Sequence, residues 1–232
     1  MRQILGRSRT VRGLRDDAVK LRHLYLSRRK GAIRRYLDTA PTPALHLGAS
    51  LAHLDGWLET DIEPTGRIIY LDATRPYPFP DSSFQFVFAE HMIEHVPREG
   101  ARVMLSEARR VLRPGGVLRL TTPDLDFLLK LRETPGETGR RYMEWIAGRF
   151  LGDPALAKPP FVINNAFRAW GHQFLYDAET LEADLRSAGF TRIERVGYGE
   201  SEHEMLRGIE RHHVNVGNED LVKAETMIFE AS

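Results

Sequence analysis

Residues 100–124 read Gly-Ala-Arg-Val-Met-Leu-Ser-Glu-Ala-Arg-Arg-Val-Leu-Arg-Pro-Gly-Gly-Val-Leu-Arg-Leu-Thr-Thr-Pro-Asp. Met104, Leu105, Ala108, Val111 and Leu112 share one face of a 3.6-residue repeat, which predicts an amphipathic helix over Gly100–Leu112. Pro114-Gly115-Gly116 stops it, because proline cannot continue a helix and glycine accepts the left-handed backbone of a helix end. Val117–Thr121 then reads at once as a strand, so a helix hands over to a strand through a single tight turn.

Working outward, short apolar runs bounded by Gly, Pro and Asp predict further strands at Ala44–Gly48, Trp57–Ile62, Arg67–Leu71, Phe84–Ala89, Arg192–Tyr198 and Ala224–Ala231, seven in all. Asp177 is placed to cap a helix carrying Leu181, Leu185 and Ala188 at i, i+4 and i+7, with Gly189 as its stop. Alternating strands and helices predict a Rossmann-like, doubly wound α/β parallel sheet, in which ligands sit at the carboxyl ends of the strands. Gly48 to Trp57 is short for a parallel crossover, which normally takes a dozen or more residues, so one helical turn at most is expected there. Residues 125–171 break the alternation, with helices expected around 125–133, 138–151 and 163–170 and a break at Lys158-Pro159-Pro160. They read as a helical cap inserted over the site.

The chain has 232 residues, 42% hydrophobic and 28% charged, which suits one soluble domain with an embellishment. It contains no cysteine, which excludes disulfide frameworks, thiolate metal sites and cysteine nucleophiles. No apolar run approaches the ~20 residues of a spanning helix, so a cytoplasmic location is expected. Residues 1–40 hold 12 Lys or Arg against 3 Asp, a net +9, and residues 41–232 carry −8. The expected organisation is a basic N-terminal helical arm, 1–40, and one α/β domain, 41–232. In the arm, Leu14, Ala18, Leu21 and Tyr25 recur at helical spacing beside Leu24, which suits packing on the domain or peripheral contact with an anionic membrane. Nucleic acid is not expected as a partner, since the remainder is acidic and lacks a basic patch interleaved with aromatics.

The strand ends gather the chemistry. Leu47-Gly48-Ala49-Ser50 puts a glycine where backbone amides can approach a ligand, although the G-x-G-x-x-G dinucleotide signature is absent. Asp61, thirteen residues on, offers two acceptor oxygens to a ribose diol. Asp72-Ala73, Glu90-His91 and Asp124 follow the third, fourth and fifth strands. His91-Met92-Ile93-Glu94-His95 spells H-x-x-E-H, the inverted zinc-protease signature. Pro97 and Gly100 leave its helix about one turn, so no metal is expected, with Glu94 and His95 fastening the turn and His91 pointing at the site. His53, His203, His212 and His213 are expected to be surface or packing residues.

The segments LHLGAS, WLETDI, LDATRPYPFPDSSFQFVFAEHMIEHV and EARRVLRPGGVLRLTTPD, in that order within residues 44–124, resemble class I S-adenosylmethionine-dependent methyltransferases. The P-F-P-D-x-S-F run joined to E-H-x-x-E-H and R-V-L-R-P-G-G resembles the type 11-like branch, and Gln85 stands where that family commonly has Asp. The resemblance implies S-adenosylmethionine as cofactor. It places Leu47, Gly48, Ala49 and Ser50 beside the methionine portion, Asp61 on the ribose, Asp72 and the Ala73 amide on adenine, and Glu90 and His91 near the transferable methyl. His91, then His172, then Asp124 are the candidate general bases for a hydroxyl or amine acceptor of small-molecule or saccharide type. Arg132, Arg140, Arg141, Arg149 and Arg168 of the cap would suit a phosphorylated or acidic acceptor, and the resemblance with the basic arm implies surface polysaccharide or glycolipid assembly. The competing readings are a non-catalytic cofactor-binding regulatory module and an H-x-x-E-H zinc hydrolase.

Overall fold

The computed structural model describes residues 29–50 and 52–232. The chain divides into two compact units, Met1–Pro41 and Thr42–Ser232. In the first, residues 29–39 are helical (α1), while the predicted amphipathic face of Leu14, Ala18, Leu21, Leu24 and Tyr25 lies outside the described residues. Among the described residues no helix is long and apolar enough to cross a membrane.

The second unit is built on a seven-stranded sheet in the order β3-β2-β1-β4-β5-β7-β6. Its strands are β1 (Ala44–Leu47), β2 (Leu58–Asp61), β3 (Ile69–Tyr70), β4 (Phe84–Glu90), β5 (Leu112–Pro123), β6 (Ile193–Val196) and β7 (Thr226–Ala231). β1 to β5 pair in parallel, whereas β7 is antiparallel to both neighbours. This corrects the expectation of a wholly parallel sheet. After β6 the chain makes only short helices, α7 (His212–Val216) and α8 (Glu219–Glu225), and passes directly from α8 into β7. With no crossover back along the sheet, a returning strand must run antiparallel.

α2 (Arg98–Val111) buries Ala101, Met104, Leu105, Ala108 and Val111, the face expected from the repeat. The Pro-Gly-Gly turn is absorbed into β5, whose pairing jumps from Phe84↔Leu112 to Phe86↔Val117. Between Gly48 and Trp57 no helix forms among the described residues. The sheet face carrying Ala44, Phe86, Phe88 and Val117 is instead covered by Leu54 and Trp57, and by Met205, Leu206 and Ile209 from the long β6–β7 connection. Arg119 of β5, fully buried, pins that connection. Its guanidinium donates to Glu210 and Glu230 at 2.6 Å each and to the Glu200 carbonyl at 2.8 Å.

The cap consists of α3 (Leu125–Glu133), α4 (Gly136–Ile146), a wider helical turn at Ala147–Leu151, and α5 (Pro159–Arg168). The prolines expected to break the segment start α5, because proline suits the first helical turn, where its missing N–H is not needed. Leu128, Leu131, Tyr142, Met143, Ile146 and Val162 give the cap its own small core, shared with Leu221 of α8. α6 (Ala178–Ser187) is capped by the Asp177 side chain, as expected.

Candidate active site

Two cavities meet at the carboxyl ends of the central strands. The larger, about 600 Å³, is bordered by Gly48, Ala49, Ser50, Asp61, Asp72, Ala73, Glu90 and His91, all predicted to surround the cofactor. Leu47 does not border it and is fully buried. Gly48 has φ +66°, and a Cβ there would lie 2.6 Å from Met92 Cγ, so both backbone and space demand glycine. Ser50 adopts a left-handed backbone, φ +46°, and its N–H donates to Asp61 Oδ2 at 2.9 Å. The other Asp61 oxygen accepts from the Glu63 N–H at 2.8 Å, which locks the glycine loop to the end of β2. Asp72 Oδ1 accepts from the backbone and hydroxyl of Thr74, at 3.0 and 2.6 Å. His46 also borders this cavity, and burial lowers its imidazole to about 4 despite the opposing charge of Asp61.

Glu90 is placed there as predicted but does a different job. Its carboxylate accepts from the Arg211 N–H at 2.8 and 2.9 Å and from the His212 N–H at 2.9 Å. It therefore holds the segment entering α7. Burial pushes this carboxyl up, while those two amides pull it back.

The second cavity, about 210 Å³, lies under the cap and is lined largely by aromatic and aliphatic side chains. Tyr142, Trp145, Phe150 and Trp170 follow one another edge to face, with centroids 5.8, 5.5 and 5.1 Å apart. Tyr142 donates its hydroxyl to Glu225, and burial raises both groups. None of the cap arginines Arg132, Arg140, Arg141, Arg149 and Arg168, read as suiting a phosphorylated or acidic acceptor, borders this cavity.

His91, His95 and His212 border both cavities and form their common wall. His91 has a left-handed backbone, φ +45°, and stacks on His212 at 3.9 Å. Its Nε2 lies 3.1 Å from Thr226 Oγ1 and its Nδ1 3.3 Å from Glu94 Oε1. Burial alone would lower this imidazole, but the adjacent Glu94 carboxylate, helped by Glu225 and Glu90, holds it above its ordinary value. His212 is depressed to about 3, first by burial and then by the charge of His91. A buried imidazole held at Nε2 by Thr226 and biased towards its cation by the Glu94 carboxylate is placed to orient a neighbouring group.

His172, the second choice, lies in the wall of the apolar cavity. Its Nδ1 is 2.6 Å from the Ala166 carbonyl, which can only accept, so the lone pair is left on Nε2. Burial keeps this ring below its ordinary value. Asp124, the third, borders neither cavity. It caps α3 through the Asp126 N–H at 2.9 Å and accepts from Arg195 at 2.6 Å, so it is a structural anchor. The H-x-x-E-H pentad forms no helix face. It follows directly on β4 and ends in a single 3-10 turn, Ile93–His95, which removes the i, i+4 platform that a zinc hydrolase of that type requires. His212, Tyr142 and Glu225 carried no motif in the sequence, since each reaches the site through a contact distant in the chain.

Residues 49–120 match the type 11 family model, described as a methyltransferase domain. The chain carries a methyltransferase domain. Its cofactor, S-adenosylmethionine, fits the larger cavity by size and donor set: nucleoside-sized volume, a glycine at the β1 end, and acids at the ends of β2 and β3. No curated protein matches the chain in sequence. Similar solved structures include an S-adenosylmethionine-dependent methyltransferase from Archaeoglobus fulgidus, 17% identical over 87% of this chain and 91% of that one, TM-score 0.47. A possible histamine N-methyltransferase from Thermotoga maritima is 18% identical over 89% and 88%, TM-score 0.45. Phosphoethanolamine N-methyltransferase 2 of Haemonchus contortus, in complex with S-adenosylmethionine, is 15% identical over 88% and 52%, TM-score 0.42.

Proposed function

We propose that this methyltransferase methylates a hydroxyl or amine of a small molecule or single sugar ring that enters the apolar cavity under the cap. One observation supports the reading: a nucleoside-sized cavity carrying Asp61 and Asp72 and an aromatic one share a wall of His91, His95 and His212. S-adenosylmethionine supplies a methyl already activated on a sulfonium, which leaves alignment and exclusion of water to the protein. Gly48, Ser50, Asp61, Asp72 and Thr74 bind and orient on one side. Tyr142, Trp145, Phe150 and Trp170 position the acceptor and keep the other side dry. The acceptor's proton leaves towards the corner formed by Glu94, His95 and His172, where the His172 Nε2 lone pair is available. The lining favours an uncharged or cationic acceptor over a phosphorylated one, since no Arg or Lys borders it to pair with a buried phosphate. A place in surface polysaccharide or glycolipid assembly rests on the sequence resemblance and the basic arm.

The test is transfer of radiolabelled methyl to a panel of amines, alcohols and monosaccharides, run beside S-adenosylhomocysteine calorimetry. Transfer that disappears in Trp145→Ala with cofactor affinity unchanged supports the assignment. Transfer untouched by Trp145→Ala moves the acceptor elsewhere, and tight cofactor binding without transfer to any compound favours the regulatory-module reading.

A further inference from the structure

Glu94 Oε2 accepts from Thr122 Oγ1 at 2.9 Å, whereas Oε1, on a side chain with no exposure, has no hydrogen-bond partner among the described residues. The nearest charged group, His91 Nδ1 at 3.3 Å, makes an ion-pair contact outside hydrogen-bond geometry. One donor atom each from Glu94, His95 and His172 lies within 4.8 Å of the others. The two segments that bring them together are tied independently of those side chains. Gln173 and Phe174 donate their N–H groups to the Glu94 carbonyl at 2.7 and 3.2 Å, and Gln173 Nε2 donates to the His95 carbonyl at 2.7 Å.

We propose that Glu94, His95 and His172 bind one divalent transition-metal ion where the apolar cavity meets the cofactor cavity. This departs from the metal-free site expected from the sequence and uses a different trio from the H-x-x-E-H signature. Two imidazoles and a carboxylate, without thiolate, are the ligand chemistry of zinc and its first-row neighbours. Both ends of the trio already have outer partners of the kind that orient metal ligands: Thr122 on Glu94 and the Ala166 carbonyl on His172 Nδ1. Metal bonds of ~2.0–2.2 Å would draw the donors to roughly 3.3 Å apart, a closure of about 1.5 Å at most. The His95 ring makes no hydrogen bond among the described residues and can turn to supply it. Three protein ligands leave a position open. Because all three border the apolar cavity, an ion there would take up the His172 Nε2 lone pair and, in place of direct proton transfer to that ring, bind the acceptor's oxygen or nitrogen and ease its deprotonation, a role that rests on the acceptor reading of that cavity.

The experiment uses the full chain after chelator treatment, titrated calorimetrically with zinc chloride and, separately, with Co²⁺ followed by its visible absorption. One equivalent of zinc, a tetrahedral or five-coordinate cobalt spectrum, and loss of both in His172→Ala support the site. Glu94→Gln should behave alike, and Thr122→Val, which removes only the outer partner, should weaken zinc about 10-fold or more. Circular dichroism checks each variant's fold, and half-buried His172 supplies a usable variant if buried Glu94 does not. Absence of zinc and cobalt binding in wild type overturns the proposal, as does binding that His172→Ala leaves unchanged. S-adenosylhomocysteine affinity and methyl transfer measured on the same samples separate the two readings. Transfer without metal binding sinks only the metal site, whereas metal binding without transfer to any acceptor sinks only the function.

Discussion

The larger cavity sets the polar groups of Ser50, Asp61, Asp72 and Thr74 at strand ends among aliphatic neighbours such as Ile62 and Leu71, while the smaller is bordered by aromatic side chains from a cap without recognisable motif. The first binds by hydrogen bonds whose geometry is set within a few residues of each strand. The second binds by apolar enclosure, which several distant helices must build together. The comparison teaches that the proposed cofactor and acceptor sites are encoded at different ranges along the chain, and that mutations should separate them.

The largest separation is expected at His172. His172→Ala should lower turnover by ~10²–10⁴-fold, the usual range when the group that takes the acceptor's proton or assists its loss is removed, with S-adenosylhomocysteine affinity unchanged in calorimetry. An equal fall in cofactor affinity would mean that the cavities are coupled. Next comes Tyr142→Phe, which leaves Glu225 without its donor inside the apolar wall. A loss of ~1–3 kcal/mol in denaturant unfolding is expected, again with cofactor affinity retained.

In the larger cavity, Asp61→Ala removes the proposed ribose acceptor and frees the Ser50 and Glu63 amides. S-adenosylhomocysteine should bind about tenfold more weakly or worse, while denaturant unfolding of the cap, reported by Trp145 and Trp170 fluorescence, should be unaffected. The smallest effect is a pH dependence from His46. Its folded value, about 4, lies below the ordinary 6.5, so the unfolded chain binds the proton more readily. Its contribution is fully present above pH 6.5 and drains away as pH falls towards 4, a loss of about 1 kcal/mol by pH 5.5. His46→Gln should flatten that slope in unfolding measured between pH 7 and 5; an unaltered slope would assign the acid sensitivity elsewhere.

Much of the larger cavity was legible in the sequence. The helix–stop–strand of residues 100–124, the single glycine after β1 and the acids after β2 and β3 are local patterns, and a crossover of one helical turn at most followed from a count of residues between Gly48 and Trp57. Glu90 and Asp124 stand at the strand ends where the sequence puts them, but their long-range partners could not be read from it. Glu90 meets the Arg211 and His212 amides, and Asp124 meets its own helix and Arg195.

The amino-acid sequence by itself determined the alternation, the number of strands and the residues at their carboxyl ends, because periodicity, capping and chain length act over a few neighbouring residues. Only the tertiary structure decided that β7 runs backwards, that Met205, Leu206 and Ile209 cover the face left bare by the short crossover, and that His212 stacks on His91. Each depends on the path of the β6–β7 connection, held by Arg119 and Glu90 across long sequence separations. A contact of that kind leaves no period in the sequence, since its two halves are brought together only when the sheet between them has formed.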